Sequence, residues 1–340
     1  MLIDTGSDII IIVGFILLYA LEDTHVKTLF EQVAVLYIFI AIGYILAKLK
    51  KIDHTHVDLL SRLVVYVLLP CSCLHSFASN FNIAYITAKY PLLIASSVLM
   101  VGGGVAMHYF AKLFSKEKYE RSIYEYSLTM TTYASTGFPL ILGVFGEAAL
   151  TDAMIFFLPV SIYTYSYGYS ILTKRPISLK KLTNPTLISM IVGMIVGLIL
   201  PYIDLPADGS PLRIPVNVVS SIVDGGKACL SPICMFIVGI AISEFKIKSL
   251  VNDKRSYIVT ALRLLILPIT FGGLLWVIGI RNEILTNVLL YTAMPCGMNT
   301  IVFPRLIGEK CNIGASLALL SNLFACLTIP LVLIIFGIVV

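Results

Sequence analysis

The chain alternates between long apolar stretches and short polar segments. A helix needs about 20 residues to cross the roughly 30 Å hydrocarbon layer of a membrane, and ten stretches reach about that length. The short loops between them are typical of neighbouring antiparallel helices. The pattern predicts ten transmembrane helices, numbered spans 1 to 10: Phe30–Leu49, Leu59–Ala78, Pro91–Phe114, Tyr124–Phe145, Ala153–Leu172, Pro185–Ile203, Val216–Ile242, Tyr257–Ile280, Ile284–Ile307 and Gly314–Val339.

Lysine and arginine are distributed unevenly between the two sides that this alternation defines. With the loop after span 1 in the cytoplasm, seventeen of the 24 basic residues lie inside and four lie outside. Because basic residues concentrate in cytoplasmic loops, this supports ten spans and predicts that both ends of the ten-span core are extracellular. Five spans cross the membrane an odd number of times, so the second half has the opposite orientation. The sequence therefore predicts an inverted repeat.

The two predicted repeats cover residues 29–172 and 185–340, and residues 173–184 form a cytoplasmic linker between them. Residues 1–28 are an apolar N-terminal extension. Within it, Ile9–Leu21 is too short for a typical span and lacks the basic flank of a signal peptide. It is either a short extra helix, an interfacial helix or a segment outside the core fold.

Spans 4 and 9 carry similar interruptions by glycine and proline. Span 4 contains STGFPLILG from Ser135 to Gly143, and span 9 contains NTIVFPRLIG from Asn299 to Gly308. Lipid cannot satisfy the backbone groups of a broken helix, so such breaks survive only against protein or a wet cavity. Interruptions at matching places in two halves indicate a transporter substrate site. The alternative is chance, because Pro and Gly are frequent in membrane helices.

The composition fits this interpretation and excludes several others. The chain is 58% hydrophobic and 13% charged, and its mean hydropathy is +0.95, which predicts an all-α polytopic membrane protein. The net charge of +5 comes from residues between spans, so no nucleic-acid partner is predicted. The seven cysteines include no CxxC pair or Cys/His cluster, so we predict no metal site.

Catalytic and nucleotide-binding motifs are also missing from the sequence. It contains no HExxH helix, no Ser/His or Ser/Lys dyad, no paired carboxylates and no phosphate-binding loop. We therefore predict that the protein is neither an enzyme nor driven by ATP.

Several motifs together resemble the auxin efflux carrier family, which includes plant PIN-type carriers and bacterial organic-acid permeases. The resemblance covers roughly Leu29 to Val340, and its strongest part runs from span 9 into span 10. The motifs that carry it are Ala293–Phe303 (AMPCGMNTIVF), Leu327–Pro330 (LTIP), Asn184-Pro185 with Gly193 and Gly197, Pro70, Gly137-Phe138-Pro139 and Phe145-Gly146.

This resemblance implies ten helices in two inverted five-helix repeats, with broken helices 4 and 9 crossing near the membrane centre. It implies a scaffold of spans 1, 2, 6 and 7, and a mobile unit of spans 3–5 and 8–10 that carries organic anions by an elevator-like motion. It also favours a homodimer formed through scaffold helices 2 and 7.

The broken helices suggest how an anion is bound. Each half-helix N-terminus carries roughly half a positive charge, so two such ends near mid-membrane make an anion site without a buried lysine or arginine. Alternatively, serine and threonine side chains bond their own helix backbone. The residues predicted to bind substrate are Thr131, Thr132, Ser135, Thr136, Pro139, Tyr163, Tyr165, Pro295, Asn299, Thr300 and Asn322.

Some of these assignments have alternatives. Asn322 lies mid-span and either lines the site or joins two helices. Tyr163 and Tyr165 are chosen because family members carry a tyrosine in this helix, whereas Tyr167 and Tyr169 suit an interfacial aromatic belt better.

Charged residues within or next to the spans have simpler interpretations. Arg263 either pairs with an anionic substrate or snorkels to the cytoplasmic face, and we expect snorkelling. Asp224 and Lys227 are three residues apart and are expected to neutralise each other. Glu125 either carries a coupling proton or lies at the membrane interface, and we expect the interface.

Taken together, the sequence predicts a secondary active transporter of small organic anions, such as malate-like or auxin-like mono- or dicarboxylates. No cofactor is predicted; an H⁺ or Na⁺ gradient, or the membrane potential, would supply the energy. The expected partners are the anion and the lipid bilayer, and the expected location is the plasma membrane, crossed many times. The alternative is an anion channel or a membrane-embedded sensor on the same scaffold.

Overall fold

The described part of the chain is almost entirely helical, as the apolar pattern predicts. This computed structural model describes residues 24–53, 55–177, 185–203, 210, 213–243, 253–297, 299–305, 307–309 and 312–338. Those residues form no β-strand and contain one isolated backbone bridge. The predicted all-α membrane fold is confirmed at this level. The segment Ile9–Leu21 lies outside the described residues.

Several helices are joined end to end by a short segment of π-helix or 3₁₀-helix. π-Helical turns lie at Val64–Leu68, Leu99–Gly103, Tyr133–Gly137, Thr164–Gly168 and Leu262–Ile266, and a 3₁₀ turn lies at Leu200–Tyr202. The α-helices are α1 (Thr24–Lys48), α2 (Thr55–Leu63), α3 (Leu69–Asn80), α4 (Ile83–Val98), α5 (Gly104–Ala111), α6 (Lys118–Thr129), α7 (Phe138–Tyr163), α8 (Tyr169–Thr173), α9 (Pro185–Ile199), α10 (Ile214–Ser243), α11 (Lys254–Ala261), α12 (Leu267–Ile278), α13 (Glu283–Ala293), α14 (Asn299–Arg305) and α15 (Asn312–Ile335).

Within the described ranges, six helical stretches are long and apolar enough to cross a membrane, and they correspond to predicted spans 2, 3, 5, 6, 7 and 8. A seventh, at span 10, is counted if its two arms, bent by 56°, form one span. Span 1 is represented by the shorter apolar helix Ala34–Lys48. Spans 4 and 9 are interrupted, so the count of ten and the inverted repeat stay predictions.

The chain passes from span 4 to span 5 through a sharp bend inside α7. The backbone leaves the helical conformation at Gly146, where φ is 78° and ψ is −171°. Glycine adopts a positive φ without the steric cost that a Cβ atom imposes. The arm before Gly146 therefore belongs to the interrupted segment, and the arm after it forms most of span 5.

Four helices pack closely through glycine. A Cβ atom on Gly43 of α1 or on Gly239 of α10 would overlap the backbone of the facing helix. One on Gly197 of α9 would overlap the backbone of α3, and Gly226 of α10 lies against Cys71 of α3. Small residues let membrane helices approach where lipid provides no hydrophobic drive. Helices α1, α3, α9 and α10 therefore form one packed group.

A second group of helices is built around buried aromatic rings. Phe138, Phe156 and Phe157 are fully buried. The ring of Tyr133 stacks on Phe157 with centroids 5.0 Å apart, and the ring of Tyr291 lies 5.9 Å from Phe157. Tyr133 belongs to the span-4 break and Tyr291 precedes the span-9 break. The aromatic core therefore supports both interruptions.

Candidate functional site

Both interrupted spans lose their helical structure at corresponding places. Helix α6 ends at Thr129, and Met130 is extended with φ −98° and ψ 146° before the turn at 133–137. Helix α13 ends at Ala293, and Met294 is extended with φ −68° and ψ 150° before α14. Proline disfavours the helical conformation of the residue before it, so Pro295 explains the second break.

The two extended segments meet and pair with each other. Thr131 and Cys296 form an antiparallel backbone bridge, and the Thr132 amide donates to Pro295 O at 3.2 Å. The Cys296 amide donates to Ser321 Oγ of α15 at 3.0 Å. The breaks therefore satisfy part of each other's backbone hydrogen bonding, which lipid cannot do. We call this paired region, residues 130–132 and 294–297, the crossover.

Three hydroxyls predicted to bind substrate are committed to backbone carbonyls. Thr131 Oγ1 and Thr132 Oγ1 both donate to Pro295 O, at 3.0 and 3.3 Å. Thr300 Oγ1 donates to Gly297 O at 2.9 Å. All three side chains are buried, as is Pro295. Thr300 thus bonds the backbone of its own segment, as the alternative expects, whereas Thr131 and Thr132 bond the backbone of the other break.

Arg263 joins the two breaks directly. Its Nη1 donates to Leu128 O of α6 at 2.6 Å, and its Nη2 donates to Tyr291 O of α13 at 2.8 Å. A third, longer bond of 3.3 Å runs from Nε to Met294 O. The last carbonyls of a helix have no partner within that helix, and one guanidinium provides partners at the ends of both α6 and α13.

The expectation that Arg263 snorkels is wrong, because its side chain is only 1% exposed. Tyr291 contributes to the same arrangement: its hydroxyl donates to Thr129 O, and its ring lies 5.2 Å from the Arg263 guanidinium carbon. The sequence did not predict this role, because the three partners are backbone carbonyls, which every residue has, and they lie far from Arg263 in sequence. The only available signal was a basic residue deep within an apolar span.

Two other predicted residues line a crevice between the two helix groups. Thr136 of the span-4 break and Asn322 of α15 line it together with Tyr37 of α1 and Met235 of α10, and its volume is about 20 Å³. The buried Thr136 hydroxyl has no hydrogen-bond partner among the described residues. The Asn322 amide donates to Ala318 O at 2.8 Å. Thr136 therefore has an uncommitted donor beside this crevice.

The remaining predicted residues are dispersed around the crossover. Asn299 Nδ2 donates to the hydroxyl of buried Tyr126 at 2.9 Å. Pro139 is buried in the first turn of α7. Tyr165 is partly buried and packs against the hydrophobic core. The side chain of Ser135 lies outside the described residues.

Tyr163 faces away from the crossover, towards Glu125. Its ring lies 5.1 Å from that of Tyr167, whose hydroxyl donates to Glu125 Oε1 at 2.6 Å. The expected interfacial belt is wrong for Tyr167, which bonds a buried carboxylate, and for Tyr169, which is buried against Phe303. The tyrosines of this helix therefore contact different regions: Tyr167 bonds Glu125, and Tyr169 packs against Phe303.

An ionic cluster connects the two helix groups. His75 of α3 contacts Glu147 Oε2 through Nε2 and Asp224 Oδ1 through Nδ1, both at 2.7 Å. Lys227 of α10 forms an ion pair with Glu147. The expectation that Asp224 and Lys227 neutralise each other is wrong, because each has a partner on another helix. Glu147, next to the bend at Gly146, provides the link to α7.

Comparison with known protein families identifies the family of this chain. The profile of the family described as "Membrane transport protein", the auxin efflux carrier family, matches residues 28–181 and 173–333. The chain belongs to this family. No curated protein matches it in sequence. Among the described residues, no group of histidine, cysteine and acidic side chains could hold a metal ion.

Proposed function

From its membership of a membrane transporter family, we propose that this protein is a secondary active carrier of small organic anions, such as mono- or dicarboxylates. The observation that carries this proposal is Arg263, a buried cation at the meeting point of both breaks. Within the described residues its hydrogen bonds go only to neutral carbonyl groups. The crossover therefore has a positive charge without an acidic partner in contact.

That charge favours an anionic cargo. Placing a charged side chain at mid-membrane costs about 2.5–3.5 kcal/mol on insertion scales. The three carbonyls reduce this cost by solvating the guanidinium, but they do not cancel its charge. Coulomb interactions are several times stronger inside protein than in water. An anion bound near the crossover is stabilised by Arg263, and a cation is disfavoured.

We assign the anion to the crevice between Thr136 and Asn322, which must widen to admit it, because its volume of about 20 Å³ holds about one water molecule. The uncommitted Thr136 hydroxyl can donate to a carboxylate, and such charge-assisted hydrogen bonds are stronger than neutral ones. The turn that carries Thr136 leads into α7, whose N-terminal end has positive dipole character. Tyr37 and Met235, from the α1–α10 pair, form the opposite wall. The site then lies where two helix groups can move past each other.

The proposed motion is of the elevator type. The packed group α1, α3, α9 and α10 serves as the scaffold, and the unit that contains the crossover moves against it. The contacts of Glu147 with His75 and Lys227 join these two bodies. These contacts must break when the unit moves, so the ionic cluster stabilises one end state of the transport cycle. We call it the ionic latch.

The proposed assembly is a homodimer through spans 2 and 7 in the plasma membrane, with the core termini outside. Apolar side chains are exposed on both spans, including Tyr66 and Val67 on span 2 and Val219 and Ile222 on span 7. Cross-linking of an Ile222→Cys variant in intact membranes tests this arrangement. A strictly monomeric protein would contradict it.

Counterflow in proteoliposomes tests the carrier proposal. Labelled mono- and dicarboxylates, including malate and indole-3-acetate, are offered with and without pH and Na⁺ gradients, and liposomes without protein are the control. Saturable uptake that is accelerated by unlabelled anion on the opposite side is the expected result. Ohmic anion currents without counterflow would identify a channel and overturn the proposal.

A further inference from the structure

Glu125 is a buried carboxylate on α6, the helix that leads into the crossover. Its side chain, expected at the membrane interface, is only 7% exposed. Two groups from other segments contact it: His108 Nδ1 of α5 at 2.9 Å from Oε2, and the Tyr167 hydroxyl at 2.6 Å from Oε1. A buried charge without a strong partner is costly, so this arrangement needs an explanation.

The basic side chains nearby are engaged elsewhere. Arg121, on the same helix, donates to Ser115 O and Lys116 O. Arg263, on the adjacent turn at 262–266, bonds three carbonyls of the crossover segments. Lys112, at the end of α5, lies 4.4 Å from the Tyr109 ring.

Other packed elements supply few ionisable groups. Helix α15 contains no acidic or basic residue, and the side chain of Arg305 in α14 lies outside the described residues. The turn between α7 and α8 contributes Tyr167, which bonds Glu125, and the Tyr163 ring lies against that of Tyr167. His108 and Tyr167 are therefore the described ionisable groups in hydrogen-bond contact with Glu125.

We propose that Glu125 and His108 together bind one proton, which the protein transports with its organic anion. His108 is 48% exposed, so it connects the buried carboxylate with solvent. The proton enters through the imidazole, is held between His108 Nδ1 and Glu125 Oε2, and leaves to solvent on the opposite side after the unit has moved. One proton is bound and one is released per cycle, and Tyr167 holds the other carboxylate oxygen throughout.

This inference rests on the proposed carrier function, because a coupled proton needs a cargo. The proton and the anion lie in the same moving unit, since Glu125 is on α6, four residues before Thr129, the last residue of that helix. The added positive charge favours anion binding, and by linkage the bound anion favours proton binding. Their joint movement makes the pH gradient a driving force.

The transport test uses purified protein in liposomes with labelled malate, a clamped membrane potential and a gradient of one pH unit. Coupling to one proton accumulates malate about tenfold, because 1.4 kcal/mol corresponds to a factor of ten. Glu125→Gln, which keeps the side-chain shape, should abolish this accumulation, and His108→Gln should reduce it. Glu120→Gln is the matched control, since Glu120 lies on the same helix and accepts a bond from Ser115 at 2.6 Å.

A second measurement needs no substrate. Infrared difference spectra between alkaline and acidic pH should show a carboxyl band when the pair takes up its proton. The band should be missing in Glu125→Gln and present in Glu120→Gln. Persistence of the band in Glu125→Gln, or gradient-driven accumulation by that variant, would overturn the proton site. A band lost in Glu125→Gln without any malate exchange by the wild type would support the proton site and contradict the carrier proposal for this anion.

Discussion

Thr131 and Cys296 pair through their backbones, although each lies in the middle of a different interrupted span. Neither extended segment can return to a continuous helix without removing the partner of the other. The two breaks are therefore energetically coupled, and Arg263 strengthens the coupling by bonding carbonyls at the ends of both α6 and α13.

The first prediction concerns the guanidinium of Arg263. Arg263→Lys keeps the charge but cannot reproduce three bonds in a planar fork. At least one buried carbonyl loses its partner, which costs about 1–3 kcal/mol. We expect a lower melting temperature of the purified protein and loss of most anion exchange. Arg62→Lys, at an exposed position in α2, is the control. An unchanged melting temperature in Arg263→Lys would show that the three bonds contribute nothing.

The second prediction separates two roles of Asn299. Asn299→Ala should lower anion exchange while the protein still inserts in the membrane. If the amide acts by holding Tyr126, then Tyr126→Phe, which removes the acceptor oxygen, should have the same effect. If it contacts the anion, Tyr126→Phe should be much milder. Exchange at the wild-type rate in both variants would remove Asn299 from the site.

The third prediction concerns the ionic latch. Glu147→Gln removes the charge that holds both His75 and Lys227. If breaking these contacts limits the rate of movement, exchange should become several-fold faster, because a loss of about 1 kcal/mol from a barrier raises a rate about fivefold. Exchange is measured under saturating anion. Glu117→Gln, at an exposed position, should behave like the wild type, and slower exchange in Glu147→Gln would contradict the latch.

The fourth prediction compares the two carboxylates that share Lys89. Its Nζ lies 2.9 Å from Asp152 and 2.8 Å from Glu283, which are 10% and 53% exposed. Exposed ion pairs contribute at most about 1 kcal/mol, so Glu283→Gln should lower the melting temperature far less than Asp152→Asn. Equal effects of the two variants would contradict this ranking.

The contact between Lys89 and Glu283 makes the stability of the protein depend on pH. The hydrogen bond from Lys89 holds the pKa of Glu283 below its usual value of 4.5. A lowered pKa in the folded state means that the stabilisation is present above the usual value and is lost as the pH falls through the lowered value. The small difference between wild type and Glu283→Gln should therefore disappear in acid. A difference that grows in acid would be inconsistent with this contact.

The position of the crossover was predictable because it depends on local chemistry. Pro295 ends α13 because proline disfavours the helical conformation of the residue before it, whereas Pro304 lies inside α14. The family resemblance was confirmed as well, and its strongest motif begins in span 9. Thr136 was among the residues predicted to bind substrate. The sequence did not distinguish it from Thr131, Thr132 and Thr300, whose hydroxyls bond the backbone.

The wrong predictions all concern partners that are distant in sequence. Asp224 and Lys227 have the spacing of a helix ion pair, but each finds a partner on another helix, which local spacing cannot reveal. Arg263 was expected to snorkel because its three partners are backbone carbonyls, which the sequence does not identify. The contacts of Glu125 with His108 and Tyr167 were also not predicted, because these residues approach it only in the folded protein.

Equilibrium binding tests the central claim most directly. The carboxylate that exchanges fastest in proteoliposomes is titrated calorimetrically into purified wild type, Thr136→Val and Thr260→Val. Both threonines have buried hydroxyls without a described partner, but only Thr136 lines the crevice. Loss of a hydrogen bond to a charged group should weaken binding about tenfold or more in Thr136→Val, and Thr260→Val should bind like the wild type. Equal affinity in all three proteins would contradict an anion site beside the crossover.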